Sequence, residues 1–472
     1  MTLLSGGLSS LLESIFHPRS VAIVGRSDPW VRWLLKFGYR GRLYAIHPHY
    51  EEVAGLKVYS TLRDVPEPVD LAILNVPAPL FRGIIQDCGA NGVKAVTSPA
   101  CGFSEAGTEE GKGLEAEISN LARRLGIRII GPNCIGIYCP DSGLTFCDGM
   151  SCQKGQLGYI SQSGTNATRL VRLANLRGIY FSKAIAYGNA CDLGASDFIE
   201  YFMNDPETEI VAAYIEGVKD GRRFFNVVKE CAKKKPIIIL KGGLTNAGSR
   251  ATSSHTGSLG GIETTWSAFF KQTGAIRADS VEEITDIAMA ILYLPCPRGR
   301  RVAILGSGAG GGVALADACE RAGLSVPPLL DETRKDVEKV LPPVGGSARN
   351  PVDGGPPVPS SSVIRKGLRL VAADSQIDFI MVHMNVDLAW FFDSLDELRE
   401  RISDLISVAR SLSKPTAVVL SATPGTEEQN VLSEAQQRCL EAHLPVYTTY
   451  EGAAKGTAKF INYREFIGGI SA

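Results

Sequence analysis

The fold of this chain is decided by the stretch Leu157-Gly158-Tyr159-Ile160-Ser161-Gln162-Ser163-Gly164-Thr165-Asn166. Its first four residues form an apolar run of strand length, and the residues after it carry the apolar face of a helix (Ala167, Leu170, Val171 and Ala174). Three hydroxyl groups and a glycine at such a turn can cradle a phosphate group with main-chain N–H and side-chain O–H donors. The same residues are also ordinary helix caps, and on this stretch alone the two interpretations weigh equally.

Further strand–helix units lie on both sides of this turn. The first third of the chain contains predicted strands at 20–25, 42–47, 71–76, 94–99 and 127–131. Helices fit between them, the first with Asp28 as cap and Pro29 in its first turn. This alternation predicts an α/β protein of doubly wound parallel sheets, in which ligands bind at the carboxyl ends of the strands.

The same alternation predicts three such domains. The first covers residues 1–140, and a linker at 141–156 follows it because Pro140, Gly143, Gly149 and Gly155 interrupt any regular pattern. The second domain covers 157–292 and the third covers 298–472.

One of only six histidines lies in a run of small residues, Ser253-Ser254-His255-Thr256-Gly257-Ser258-Leu259-Gly260. A buried strand at 236–240 precedes the run, and an apolar helical face follows it (Leu259, Ile262, Trp266, Phe269 and Phe270). His255 is therefore expected just ahead of a helix N-terminus, where an imidazole could carry a phosphoryl group. A loop histidine bonded to its own backbone is the alternative, and spacing alone favours it.

Two further features are candidates for chemistry. Glu216 follows the apolar strand at 210–215, so its carboxylate is expected in the crevice, although pairing with Lys219 or Arg222 at the surface is an alternative. The turn 306–312 contains many glycines, which permit close approach by a ligand or a neighbouring domain. A flexible turn before a well-packed helix explains those glycines at least as well.

Composition excludes several classes of partner. The 49 basic and 50 acidic residues give a net charge of −1, so nothing drives the chain toward nucleic acid or a membrane surface. The longest apolar runs are too short to span a bilayer, and the N-terminus lacks the basic start of a signal peptide, so we expect a cytoplasmic protein. Cysteines and histidines show no metal-ligand spacing, and no metal site is expected within the chain.

Six motifs in one order resemble the NDP-forming acyl-CoA synthetases, which are relatives of the succinyl-CoA synthetase α subunit. The resemblance covers nearly the whole chain. The motifs are the segments 17–25 (HPRSVAIVG), 102–105 (GFSE), 131–136 (GPNCIG), 161–164 (SQSG), 215–217 (IEG) and the histidine run.

This resemblance implies a Rossmann-like CoA-binding domain followed by two flavodoxin-like domains. It implies that His255 is reversibly phosphorylated and that Glu216 orients its ring. The implied phosphate-binding residues are Ser161, Ser163, Gly164, Thr165, Gly257, Gly308 and Gly310. The implied CoA-binding residues are Gly25, Ser27, Pro48, Val76, Pro77, Pro132, Asn133 and Cys134.

The chain departs from the family pattern at His47-Pro48-His49, where the family usually has a lysine after the proline. That departure leaves one CoA phosphate contact unassigned, and Arg40, Arg42 or His49 are its possible replacements. The segment 102–105 is either a contact near the thioester end of CoA or a simple connecting loop, with equal weight.

The family also implies a partner. No phosphate-binding P-loop motif occurs, and the three domains leave no room for an ATP-grasp module. A separate ATP-grasp β subunit is therefore expected to supply the ATP/ADP and Mg²⁺ site, in a hetero-oligomer.

The expected activity is that of an acid–CoA ligase (NDP-forming). The alternatives are an ATP-independent CoA transferase or lyase, and a non-catalytic CoA-binding regulatory subunit. His255 and Glu216 disfavour the regulatory subunit, which would need neither. The sequence does not identify the carboxylic acid. Five aromatic side chains are candidates for an acyl pocket but fit core packing better (Trp30, Trp33, Trp266, Phe269 and Phe270).

Overall fold

The computed structural model describes residues 6–256, 262–306, 308–355, 360–385, 395–421 and 428–470. Its strands form three sheets, and the chain divides into two compact units. The unit 1–281 contains the first two sheets, and the unit 282–472 contains the third. Nearly all strand pairs are parallel, so the chain has the α/β fold of doubly wound sheets that the alternating sequence pattern predicts.

The first sheet has seven strands: β1 (Ser20–Gly25), β2 (Arg42–Ile46), β3 (Glu52–Val53), β4 (Leu56–Tyr59), β5 (Leu71–Asn75), β6 (Ala95–Thr97) and β7 (Arg128–Ile130). Its helices are α1 (Gly6–Phe16), α2 (Asp28–Phe37), α3 (Phe81–Asn91) and α4 (Glu109–Arg124). The strand order is β3-β4-β2-β1-β5-β6-β7, so the order reverses between β1 and β5. Ligands of such sheets bind at this reversal, beyond the carboxyl ends of the two strands.

The second sheet has six strands: β8 (Gly136–Tyr138), β9 (Lys154–Ser161), β10 (Phe181–Ala186), β11 (Ile210–Ile215), β12 (Ile237–Lys241) and β13 (Ile276–Ala278). Its helices are α5 (Gly164–Leu176), α6 (Ala195–Asn204), α7 (Gly221–Lys234), α8 (Asn246–Thr256) and α9 (Glu263–Thr273). The order β13-β12-β11-β9-β10-β8 is flavodoxin-like with an added antiparallel edge strand, β8. Its reversal lies between β9 and β11.

The third sheet has five strands: β14 (Val302–Gly306), β15 (Val352–Asp353), β16 (Phe379–Asn385), β17 (Thr416–Ser421) and β18 (Val446–Tyr447). Its helices are α10 (Val281–Tyr293), α11 (Ala309–Arg321), α12 (Asp331–Glu338), α13 (Ser361–Ala373), α14 (Leu395–Ser411), α15 (Glu428–Glu441) and α16 (Tyr450–Ile470). The order β15-β14-β16-β17-β18 is also flavodoxin-like, and it reverses between β14 and β16. No helix in the described ranges is both long and apolar enough to cross a bilayer.

Three local features differ from the sequence-based expectation. The strand 136–138 pairs with β10 in the second sheet, although it falls inside the range predicted for the first domain. The hairpin of β3 and β4 was not predicted, because a two-residue strand has no measurable periodicity. Ser27, not Asp28, occupies the cap position of α2, and Asp28 is the first helical residue.

The position expected for His255 is wrong. His255 lies in the last turn of α8, and the next described helix begins at Glu263. Helix α8 starts earlier because Thr245 caps it, its hydroxyl group accepting from the Gly248 N–H at 3.0 Å. Small polar residues have low helix propensity, so the sequence alone did not indicate this helix.

Candidate active site

The reversal point of the first sheet is an open cavity of about 560 Å³. The ends of β1 and β5 are tied together there, since the Arg26 N–H donates to the Asn75 carbonyl at 3.2 Å and the Asn75 amide donates back at 2.9 Å. A Cβ atom on Gly25 would lie 2.4 Å from the Asn75 carbonyl oxygen, and Gly25 has a φ of 91°. Only glycine fits this turn, which brings the main chain close to anything bound in the cavity.

Four of the eight predicted CoA-binding residues line this cavity together: Gly25, Pro48, Val76 and Pro77. His47 and His49 line it as well, at the position of the departure from the family pattern. The His47 ring stacks on Tyr50 at a centroid distance of 4.0 Å, and its Nδ1 atom accepts from the His49 N–H. Ser27 is buried beside α2 and does not line the cavity.

The other three predicted CoA-binding residues lie at the junction of the first and second sheets. The Asn189 N–H donates to the Pro132 carbonyl at 3.1 Å, and the Asn133 amide donates to the Asn189 side chain at 3.3 Å. Cys134 is buried with its thiol 3.3 Å from the Thr97 hydroxyl group, and burial raises its thiol pKa. A buried thiol of raised pKa is not a nucleophile at neutral pH.

The same junction carries the Gly102–Glu105 motif. The Asn189 amide also donates to Glu105 at 2.5 Å and to Glu115 at 2.8 Å, and the Ser104 hydroxyl group donates to Glu115 at 2.6 Å. Helix α8, which carries His255, lies against the turn Ser104–Ala106. The segment 102–105 therefore lies near the helix that carries the predicted phosphohistidine.

The reversal point of the second sheet brings the hydroxyl-rich turn next to Glu216. Ser161 ends β9, Glu216 follows β11, and the two strands are neighbours in register. Ser163 caps α5, since its hydroxyl group accepts from the Asn166 N–H at 3.3 Å. At the start of a helix the first-turn N–H groups, here those of Gly164 and Thr165, have no intrahelical acceptor. They can therefore bind an anion.

Glu216 is buried, not a surface residue in an ion pair. Its main-chain N–H donates to the Gln162 side-chain oxygen at 2.8 Å, and the Gly217 N–H donates to the same oxygen at 3.0 Å. Its Oε2 atom has no hydrogen-bond partner among the described residues. Lys219 contacts the Ala190 carbonyl at 2.8 Å instead. A buried carboxylate oxygen without a partner is costly, so this atom is available to a polar group that enters the site.

Sequence reasoning missed two residues here, Gln162 and Lys241. Gln162 joins the motif 161–164 to the motif 215–217 through its side-chain oxygen. Lys241 ends β12, and its buried ammonium group donates to the Glu216 carbonyl at 2.8 Å. The signal for Lys241 was a single cation at the carboxyl end of an apolar strand, which is the edge where ligands bind.

A cavity of about 560 Å³ is lined by residues from both parts of this region, although Gln162 is its one lining residue from the turn 161–164. At one end it is lined by Ser104, Glu115 and Asn189, and at the other by Gln162 and Gly217. The first turn of α6 and the start of α7 face it between these ends. The side chain of His255 and all of Gly257 lie outside the described residues, so these two predicted site residues stay predictions.

The third sheet carries the glycine-rich turn at its own reversal point. Gly308 is the cap residue of α11 and has a φ of 79°, and Gly310 lies in the first turn of that helix. The buried ring of His383 on β16 lies directly under this turn, since Cβ atoms on Gly306 and Gly311 would come within 2.2 Å and 2.8 Å of it. Gly306 and Gly311 are thus needed for packing around an imidazole, whereas a Cβ atom on Gly308 or Gly310 would meet no atom within 4 Å.

Three family models match successive parts of the chain. A CoA binding domain matches residues 19–140, a succinyl-CoA ligase-like flavodoxin domain matches 154–291, and a ligase-CoA domain matches 302–464. These matches contain the three reversal points described above.

Relatives of known name match over most of the chain. The α subunit of acetate–CoA ligase [ADP-forming] II from Pyrococcus furiosus is 40% identical over 73% of this chain and 76% of that protein. Acetate–CoA ligase [ADP-forming] I from Archaeoglobus fulgidus is 35% identical over 78% of this chain and 54% of that longer protein.

A solved structure is similar over almost the full length. It is the dinucleotide-forming acetyl-coenzyme A synthetase 1 of Ca. Korarchaeum cryptofilum in complex with phosphate and ADP, at 30% identity and a TM-score of 0.81, covering 98% of this chain and 99% of that one. These matches confirm the resemblance carried by the six motifs, and the chain belongs to the family of NDP-forming acyl-CoA synthetases.

Proposed function

We propose that the chain is the α subunit of an acid–CoA ligase (NDP-forming), with His255 as the phosphoryl carrier. The observation that carries this proposal is the cavity that runs from Ser104 and Asn189 to Gln162 and Gly217. Its lining includes Ser104 from the CoA-binding domain and Gln162 from the turn that can hold a phosphoryl group. A reaction that passes an acyl group from CoA to phosphate needs these two parts side by side.

The reaction balances in two steps on this chain. In the first step, phosphate attacks the thioester carbon of acyl-CoA, the C–S bond breaks, and acyl phosphate and CoA form, the thiol taking up a proton. In the second step, a neutral nitrogen of His255 attacks the phosphorus atom, the bond from phosphorus to the acyl oxygen breaks, and the carboxylate leaves. A nucleoside diphosphate then accepts the phosphoryl group, which regenerates His255.

The described residues supply positioning and electrostatic stabilisation. Ser161, Ser163, Gly164 and Thr165 surround the start of α5, where N–H donors would hold the phosphoryl oxygens. The unpartnered Oε2 atom of Glu216 would accept the N–H of the His255 ring and stabilise its positive charge during transfer. Gly257, and Gly308 and Gly310 at the start of α11, remain proposed phosphate-binding residues on the basis of the family resemblance.

The cavity favours a small or polar carboxylic acid. The side chains that line it are mostly charged or polar, with Val218 and two alanines as the apolar exceptions. The aromatic residues that might have formed an acyl pocket pack elsewhere, for example Trp266 and Phe270, which are buried against each other on α9. A large apolar acyl chain would displace water from the charged groups of this cavity and would offer them no hydrogen bonds in return.

A separate ATP-grasp β subunit would complete the enzyme, with the ATP/ADP and Mg²⁺ site on that partner. The Pyrococcus relative is named as an α subunit, and this chain spans only 54% of the longer Archaeoglobus relative. The name of the Pyrococcus relative supports a two-chain enzyme, and we propose a cytoplasmic hetero-oligomer. An ATP-independent CoA transferase would need neither a phosphoryl carrier nor Glu216 beside it.

The test is the reaction of the chain with and without its partner. The chain alone, given acetyl-CoA and labelled phosphate, should become phosphorylated but should release no ATP from ADP. Addition of an ATP-grasp β subunit, ADP and Mg²⁺ should give ATP. Formation of ATP by the highly purified chain alone would contradict the two-chain proposal.

A further inference from the structure

Lys241 is a buried cation that the proposed mechanism does not use. It is the last residue of β12 and pairs in register with Ile215, the residue before Glu216. Its side chain is only 6% exposed. Burial of an ammonium group is costly unless the charge is compensated, so a cation at this position requires an explanation.

The ammonium group of Lys241 is held by the chain segment that carries Glu216. It donates to the Glu216 carbonyl at 2.8 Å and also to the Gly242 carbonyl. On its other side it lies 5.2 Å from the centre of the Trp266 ring, within the range of a cation–π contact. These contacts come from the residue after β11, from the turn after β12 and from α9. The ammonium group therefore joins three parts of the chain at the carboxyl edge of the second sheet.

We propose that Lys241 is a positioning residue that holds Glu216 and balances its charge at the site of phosphoryl transfer. This inference rests on the proposed function. Glu216 and a phosphoryl group are both anionic, and the turn 161–164 is connected to Glu216 through Gln162. Two anions at one sheet edge repel each other, and a buried cation one strand away reduces that repulsion.

The charge of Lys241 is expected to vary within the working pH range. Burial lowers the pKa of its ammonium group to about 8, and the Glu216 carboxylate opposes the lowering. The Tyr214 hydroxyl group on β11 lies close to Gly242, the residue after Lys241, and its pKa is raised by burial and by Glu216, so the phenol stays neutral in this range. On β13, Arg277 is paired with Glu263 and Asp279. Of Lys241, Tyr214 and Arg277, Lys241 is the one whose charge changes between pH 7 and 9.

The experiment measures the initial rate of phosphohistidine formation from labelled acetyl phosphate, with the full-length chain, between pH 7 and 9. Wild type should lose about tenfold in rate from pH 7 to 9, because about a tenth of the ammonium form remains one pH unit above its pKa. Lys241→Met should be at least about tenfold slower than wild type at pH 7. Lys241→Arg should keep a measurable rate with no alkaline fall, since a guanidinium group stays charged.

The matched control is Lys235→Met. Lys235 lies just before the opposite end of β12, and its ammonium group also donates to two main-chain carbonyls, those of Phe202 and Asp205. Burial lowers its pKa too. Lys235→Met therefore removes a similar buried lysine at the end of β12 that is opposite to Glu216. The labelling rate of this variant should equal that of wild type.

Three results would overturn the proposal. They are full labelling of Lys241→Met, an alkaline fall in Lys241→Arg equal to that of wild type, and an equal loss in Lys235→Met. If Lys241→Met does not fold, the pH profile of Lys241→Arg decides alone. Absence of label in wild type at pH 7 would instead reject the proposed function and this inference with it, so the two failures are distinguishable.

Discussion

The side-chain oxygen of Gln162 accepts a hydrogen bond from the main-chain N–H of Glu216 at 2.8 Å. This contact joins residues that are 54 positions apart in sequence, and the Gly217 N–H donates to the same oxygen. Both ends are buried, so the position of Glu216 depends on an amide side chain in the turn that is proposed to bind the phosphoryl group.

Gln162→Leu should therefore weaken phosphoryl transfer without touching the reacting atoms. Loss of the amide oxygen removes the acceptor of the buried Glu216 N–H and of the half-buried Gly217 N–H, which is expected to displace Glu216. We expect the rate of phosphohistidine formation to fall about tenfold to a hundredfold, less than for removal of a direct transition-state contact. Gln156→Leu is the control, because that amide donates to Glu209 at the surface and not to the Glu216 segment. Equal rates in Gln162→Leu and wild type would show that Glu216 does not need this support.

Glu216→Gln tests the proposed role of the carboxylate itself. The substitution keeps the size of the side chain and removes the charge that stabilises the imidazolium form of His255. CoA binding should be unchanged, and labelling should slow by roughly ten- to a thousandfold. Calorimetry with CoA and the labelling rate measure the two effects separately. An unchanged labelling rate would remove Glu216 from the mechanism.

Gly25→Ala should abolish CoA binding at the first reversal point. A Cβ atom there would clash with the Asn75 carbonyl at 2.4 Å and would force an L-residue to a φ of 91°. Gly38→Ala is the matched control, since Gly38 has a φ of 92° but a Cβ atom added to it would meet no atom within 4 Å. Calorimetry should show CoA binding by wild type and by Gly38→Ala but not by Gly25→Ala. Wild type and Gly38→Ala should bind CoA more tightly than NAD. If Gly25→Ala binds CoA with normal affinity, the CoA site does not lie at the first reversal point.

The buried ring of His383 should make the stability of the chain depend on acid pH. Burial lowers its pKa to about 4, from an ordinary value near 6.5. The unfolded chain therefore binds more protons than the folded chain between these values, so stability falls as pH decreases from 6.5 toward 4. At pH 5 the loss from this residue is about 2 kcal/mol.

His383→Leu should remove that dependence. Its unfolding midpoint in urea should change less than that of wild type when the pH is lowered from 7 to 5. His443→Leu, at an exposed position of the same unit, serves as the control. Parallel pH dependence in His383→Leu and wild type would mean that the buried ring is not the source of the acid instability.

Much of the fold follows from the sequence, because apolar runs and polar turns are local signals. The strands predicted at 20–25, 42–47 and 71–76 agree with β1, β2 and β5 to within one residue. Strand pairing is not local, and it is pairing that places 136–138 at the edge of the second sheet. Helix α8 was missed because small polar residues form helices only weakly without tertiary contacts.

The candidate site was predictable where a residue ends a strand. Ser161 and Glu216 were expected at the ends of apolar strands and Gly25 was assigned by the family resemblance, and all three lie at reversal points of their sheets. Gln162 and Lys241 could not be assigned, since their partners belong to other strands and the contacts appear only when the sheet is assembled. Cys134 illustrates the opposite case, a motif residue that the fold buries.

The most direct test of the central claim is to identify the phosphorylated residue. The full-length chain is incubated with acetyl-CoA and labelled phosphate, and the label is located by mass spectrometry and by its stability in acid and base. We expect an acid-labile, base-stable label on His255 that is absent from His255→Ala and present in His443→Ala. A label of equal strength in His255→Ala, or no label in wild type that binds CoA, would contradict it.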